Sequence, residues 1–108
     1  MEKLAIIIPA YNEEKRIART LDRYYAFFEN LKKNKILDYE IIVIINNTKD
    51  RTEEIVKEKK IKYRSMTYLN FKRGGKGFAV IEGFKEALKN RDNSLIGFVD
   101  AEDRKSVV

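Results

Sequence analysis

Asp100, Glu102 and Asp103 close the run Leu95–Asp103, LIGFVDAED. The residues before them, Leu95, Ile96, Phe98 and Val99, are apolar without a helical period and read as a short buried strand. Acids at the carboxyl end of such a strand stand where open α/β sheets bind their ligands. A pair of them can share a hard cation with phosphate oxygens, because Mg²⁺ typically takes one or two protein carboxylates and completes its shell from phosphate and water. Asp100, Glu102 and Asp103 are the acids that could do so; the competing interpretation is a solvated acidic loop. Cys and His are absent, which excludes disulfides, thiolate zinc sites and imidazole-based triads.

The elements that would position these acids follow from the apolar pattern. Leu4–Ile8, LAIII, predicts a buried strand stopped by Pro9. Asn12 is placed to cap a helix opening with Glu13 and Glu14, whose apolar face is Ile17, Leu21, Tyr24 or Tyr25, Phe28 and Leu31. After a polar connector, Lys32–Asp38, the run Glu40–Ile45 predicts a second buried strand leading into the turn-forming Asn46, Asn47 and Thr48. Asp50 and Glu53 resemble a capping box for a helix through about Lys59. A third strand is expected over Tyr63–Asn70, then a basic glycine loop, Lys72–Gly77, then a helix burying Val80, Ile81, Phe84, Ala87 and Leu88. Asn90–Ser94 turns into the last strand.

Strands alternating with helices predict an α/β fold, a Rossmann-like parallel sheet of about four strands with crossover helices, in the order 3-2-1-4. Right-handed crossovers would gather the loops Pro9–Glu13, Ile45–Asp50 and Asp100–Asp103 along one sheet edge. Glu13, Asn46, Asp50, Asp100 and Glu102 would then share one crevice. Amides of the glycine loop and Lys76 could meet phosphate from the side.

The chain is 108 residues, about one domain, with a net charge of +6 that favours an anionic partner. No apolar run approaches a membrane span, and residues 1–12 lack a signal-peptide layout, so a cytoplasmic location is expected. The first loop, PAYNEE, has no glycine, and no Walker pattern can be drawn through Gly74–Gly77; both count against dehydrogenases and P-loop enzymes. Lys57, Lys59, Lys60, Lys62 and Arg64 read as a solvated helix face and basic connector rather than a nucleic-acid surface.

Taken together, IIIPAYNEE, EIIVIINNTKDRT, GGKGFAVIEGFKEAL and IGFVDAED resemble, in order and spacing, the family 2 glycosyltransferases, most closely the branch that makes polyprenyl- or dolichyl-phosphate sugars. The resemblance covers Leu4 to Asp103 and implies a GT-A fold, with residues 1–108 forming its amino-terminal, donor-binding half. It implies that Pro9, Ala10, Tyr11, Glu13 and Asn46 contact the nucleoside, that Lys76 lies near the donor, and that Asp100, Ala101 and Glu102 reach the diphosphate. It further implies Mn²⁺ or Mg²⁺ on Asp100 and Glu102, a nucleotide diphosphate sugar as donor, and a lipid phosphate as acceptor at the cytoplasmic membrane face.

Departures from the family pattern bear on those expectations. After the second strand the pattern is commonly Asp-Asp-Gly-Ser or Asp-Asn-Asn-Ser, and here Ile45, Asn46, Asn47 and Thr48 stand there. Asn46 must therefore serve by its amide, which can donate as well as accept. Glu102 replaces the second Asp of the Asp-x-Asp. No residue is an evident catalytic base, and the chain alone is expected to bind donor without transferring sugar. It is also expected to self-associate, as a homodimer, through the outer edge of the fourth strand. The alternatives are a non-catalytic nucleotide- or anion-binding module and a basic nucleic-acid-binding domain.

Overall fold

The continuous β-branched runs can be satisfied only by strands covered on both faces, and the computed structural model, which describes residues 1–99, places them so. Strand β1 (Lys3–Ala10) and strand β2 (Asp38–Asn46) pair in parallel, with Ile6 opposite Ile41 and Ile8 opposite Val43. Strand β3 (Met66–Phe71) pairs with β2, and strand β4 (Leu95–Phe98) pairs with β1, giving the parallel order β3-β2-β1-β4.

Helices α1 (Ile17–Lys33) and α2 (Thr52–Lys62) cover the face carrying Ile6, Ile8, Ile41, Val43 and Ile45. Helix α3 (Lys76–Leu88) covers the opposite face, over Ala5, Ile7, Ile42 and Ile44. Those isoleucines are all within 4% of complete burial. Each contributes roughly 1.5–3 kcal/mol relative to exposure, so the two central strands dominate the core.

Strand β1 runs through Pro9 rather than stopping before it. Ile7 turns its carbonyl toward β4, where it accepts from Val99 N at 3.0 Å. Alternation along a parallel strand directs Pro9 to the same side. Proline has no N–H to offer on that side; among the described residues pairing with β4 runs to Ile7 and Phe98, while pairing with β2 continues to Ala10 and Ile45.

Helix α1 begins at Ile17, a turn later than the expected start at Glu13. Asn12 does not cap it; Asn12 sits at φ 49° and its Oδ1 accepts from Lys49 N at 3.0 Å. The amides of Asn12, Glu13 and Glu14 donate to Thr48 Oγ1, Thr52 Oγ1 and Asp50 Oδ2. Because the neighbouring loop already satisfies these donors, the chain has no need of helix there. Helix α2 likewise starts at Thr52, and the expected Asp50–Glu53 box is replaced by Asp50 Oδ1 accepting the Thr52 amide at 2.9 Å.

The expected face of α3 is corrected. Ala79, Gly83 and Ala87 are buried, whereas Ile81 is 57% and Leu88 69% exposed, and Phe84 also faces out. Hydropathy favours the large residues, but α3 lies too close to β1 to admit them: a Cβ on Gly83 would press into Ile7 Cγ2. Strand β4 pairs only on its β1 side among the described residues, and Leu95 and Phe98 are exposed.

Helices α1 and α2 are joined by a polar cluster. Asp22 Oδ1 accepts from Lys59 Nζ at 2.8 Å and from the Tyr63 hydroxyl, and Tyr63 stacks on Tyr25 at 3.8 Å. The hydrogen bonds from Lys59 and Tyr63 hold the Asp22 carboxyl below its usual range. The bond to Asp22, then burial, pushes the Tyr63 phenol up to about 12. A lowered carboxylate stabilises the fold above its unfolded value, near 3.9, and loses that contribution as pH falls through the folded one. A raised phenol stabilises below its unfolded value, near 10, and loses it as pH rises toward the folded one. Melting temperature should therefore fall on the acid side below about pH 4 and on the alkaline side above about pH 10. Asp22→Asn should flatten both limbs; unchanged limbs in that variant would remove the cluster from the pH response.

Candidate functional site

The carboxyl ends of β1 and β2 and the start of α3 meet around an open cleft of about 390 Å³. The first loop contributes Pro9, Ala10, Tyr11 and Glu13, the end of β2 contributes Asn46 and Asn47, and the glycine loop contributes Gly74, Gly75 and Lys76. Pro9, Ala10, Tyr11, Glu13, Asn46 and Lys76, the site residues expected from sequence that the structure describes, all line it. Asp100, Ala101 and Glu102, with Asp103, lie outside the described residues; Val99, just before them, is held at the same sheet edge by its bond to Ile7 O.

Each wall has its own support. Tyr11 is 51% exposed at the mouth, so its ring is available to stack on a planar ligand. Glu13 is 3% exposed, and its Oε1 accepts from Arg16 Nε at 3.0 Å and Arg16 Nη2 at 2.8 Å. A buried carboxylate is tolerated because it is paired in this way, which makes Glu13 a wall of the cleft as well as a ligand candidate. Asn46 is not a loop residue but the last residue of β2, 3% exposed. Its Nδ2 donates to Gly75 O at 3.1 Å, which assigns the amide orientation because a carbonyl can only accept.

Asp50 does not join the cleft. Its Oδ1 accepts from the amide and hydroxyl of Thr52, and its Oδ2 from Glu14 N at 3.1 Å. Partial burial would raise its pKa, but these bonds outweigh burial and hold it below the usual carboxylate range. Asp50 thus ties the first loop to α2 and fixes the backbone that presents Tyr11 and Glu13.

Asn47 lines the cleft although the sequence marked it only as a turn residue, and Gly74 and Gly75 of the expected glycine loop join it. Gly75 adopts φ 108°, a conformation that glycine alone adopts at little cost, and it forms the N-terminal cap of α3. The Gly-Gly pair ahead of Lys76 was the available signal. Asn47 sits at φ 54° and packs beside Gly74, where a Cβ would lie 3.3 Å from Asn47 Nδ2. The first amides of α3 and Lys76 give this wall a positive character suited to phosphate. Among the described residues no cluster of acidic side chains could hold a metal ion.

A parallel α/β sheet with an open cleft over its strand ends, walled by a helix N-terminus, places the cleft where open α/β folds bind their ligands. The sequence model of glycosyl transferase family 2 matches residues 5–104, and the chain belongs to that family. It is 41% identical over 98 residues to a dolichyl-phosphate beta-glucosyltransferase of Trichomonas vaginalis, covering 89% of this chain and 28% of that protein. It is 36% identical over 85 residues to a dolichol-phosphate mannosyltransferase of Pyrococcus furiosus, covering 79% of this chain and 22% of the relative. A human dolichyl-phosphate beta-glucosyltransferase is 31% identical over 86 residues, covering 76% and 26% respectively. The chain thus spans roughly a quarter of the length of these curated relatives.

Proposed function

We propose that this chain is the donor-binding part of a glycosyltransferase that moves a sugar from a nucleotide diphosphate to a polyprenyl or dolichyl phosphate. The observation that carries the proposal is the convergence of Tyr11, Glu13, Asn46 and Lys76 on one cleft at the strand ends of a family 2 domain. The nucleoside lies against Tyr11 and the Pro9–Ala10 backbone, and the diphosphate extends toward Lys76 and the N-terminus of α3. The acceptor class is suggested by the names of the relatives. Among the described residues no helix is long and apolar enough to cross a membrane, and the proposed meeting with a lipid phosphate is at the cytoplasmic membrane face.

A divalent cation, Mn²⁺ or Mg²⁺, would be held by Asp100 and Glu102 and would neutralise the leaving diphosphate as a Lewis acid. The described residues offer no competing carboxylate cluster. Asp100→Asn should abolish the Mn²⁺-dependent part of nucleoside diphosphate affinity in calorimetry and leave the metal-free part nearly intact. A metal enhancement that survives in the variant would move the cation to Asp103 or elsewhere.

The chain is proposed to self-associate as a two-fold dimer through the side of β4 that no strand among the described residues covers, beside the exposed Leu95 and Phe98. Light scattering should show an apparent mass that rises with concentration and reverts to the monomer in Phe98→Lys. A strictly monomeric wild type would contradict it.

A further inference from the structure

We propose that Asn46 is a positioning residue whose amide latches the glycine loop, presetting Lys76 and the N-terminus of α3 against the cleft. Gly75 O is the joint of this arrangement. It receives Ala79 N at 3.1 Å, the first intrahelical bond of α3, and Asn46 Nδ2, also at 3.1 Å. One carbonyl thus couples the end of β2 to the start of the helix. The two preceding links run the same way: Asn47 N donates to Phe71 O at 2.8 Å, and Gly74 packs on the Asn47 side chain.

The chemistry at this position is selective for an amide. Asn46 is 3% exposed and stands at the end of a strand, so its side chain has little room to turn away. An ionised carboxyl of the same size would set an acceptor against the Gly75 carbonyl, with no donor between them, at a buried site where unpaired polar groups are costly. With one Nδ2 hydrogen committed to Gly75, Asn46 keeps its Oδ1 acceptor and its second N–H for a ligand.

The latch predicts a pH signature that a merely space-filling residue would not give. In Asn46→Asp the introduced carboxyl is ionised at neutral pH and breaks the latch. Burial beside a carbonyl raises its pKa, and once protonated it can donate to Gly75 O again. Hydrogen exchange at the amides of residues 75–79, expressed as protection relative to intrinsic rates, reads the loop without any ligand. In Asn46→Asp, protection at pH 7.5 should fall about tenfold or more and return toward wild type near pH 5; the wild type should stay level. Asn46→Ala should lose protection at both pH values with no recovery, and it keeps the test open if Asn46→Asp does not fold. Equal protection in wild type and Asn46→Ala, or an Asn46→Asp deficit independent of pH, would overturn the latch. The ligand consequence rests on the cleft being the donor site: affinity for uridine or guanosine diphosphate should follow the same pH recovery. If wild type binds neither nucleotide while the exchange pattern holds, the donor reading fails and the latch stands.

Discussion

Gly83→Ala should destabilise the domain, although alanine is the better helix residue by about 1 kcal/mol. The added methyl has no space: it would press into Ile7 Cγ2, with Ile7 Cγ1 and Cδ1 at 3.0 and 3.1 Å. Ile7 lies on the central strand β1, fully buried and paired on both sides, so it cannot retreat without disturbing the sheet. Overpacking of this kind typically costs about 1–3 kcal/mol, enough to outweigh the helix gain. Gly83→Leu should be worse still and is expected to populate unfolded chain. Ile7→Ala alone opens a cavity and should cost about 2–5 kcal/mol. Combined with Gly83→Ala, it should cost less than the sum, with a coupling of about 0.5–3 kcal/mol. Urea unfolding of the two single variants and the double variant measures this. A stabilised Gly83→Ala, or strict additivity, would show that α3 does not approach β1 as closely as described.

The second large effect is on binding rather than stability. Tyr11→Ala should weaken nucleoside diphosphate affinity about five- to hundredfold, because base–aromatic stacking is worth about 1–3 kcal/mol. The fold should tolerate it within about 0.5 kcal/mol, since Tyr11 is half exposed and outside the core. Tyr11→Phe should retain most of the affinity. Glu13→Ala is a poorer probe: it removes a buried carboxylate that pairs with the half-exposed Arg16, so lost binding would mix two causes. Equal affinity in wild type and Tyr11→Ala would remove the ring from the nucleoside site.

What could be read in the sequence tracks the scale of the physical signal. Strands β1 and β2 and the order β3-β2-β1-β4 were legible because runs such as IIVII admit no other burial. The start of α1 was not, because the amides of Asn12, Glu13 and Glu14 find their acceptors in a loop some 36 residues away. The face of α3 was misread because hydropathy ranks Ile81 and Phe84 above Gly83, whereas the approach of helix to sheet selects for small size. At the cleft, Tyr11, Glu13, Asn46 and Lys76, the polar site residues named from sequence that the structure describes, line one pocket. Asp50 does not, since its carboxylate is spent on Thr52 and Glu14. The work of Gly75 was hidden because a carbonyl's partners leave no mark on residue type.

The central claim is that the cleft at the ends of β1 and β2 binds the nucleotide diphosphate of a sugar donor. Mapping amide chemical shifts of the ¹⁵N-labelled chain during titration with uridine and guanosine diphosphates tests it most directly. The expected result is saturable perturbation of Ala10, Tyr11, Asn46, Gly75 and Lys76 by at least one of them, with Lys57–Arg64 unmoved. Perturbation confined to the basic residues of α2 and the segment after it, or none with either nucleotide, would contradict it.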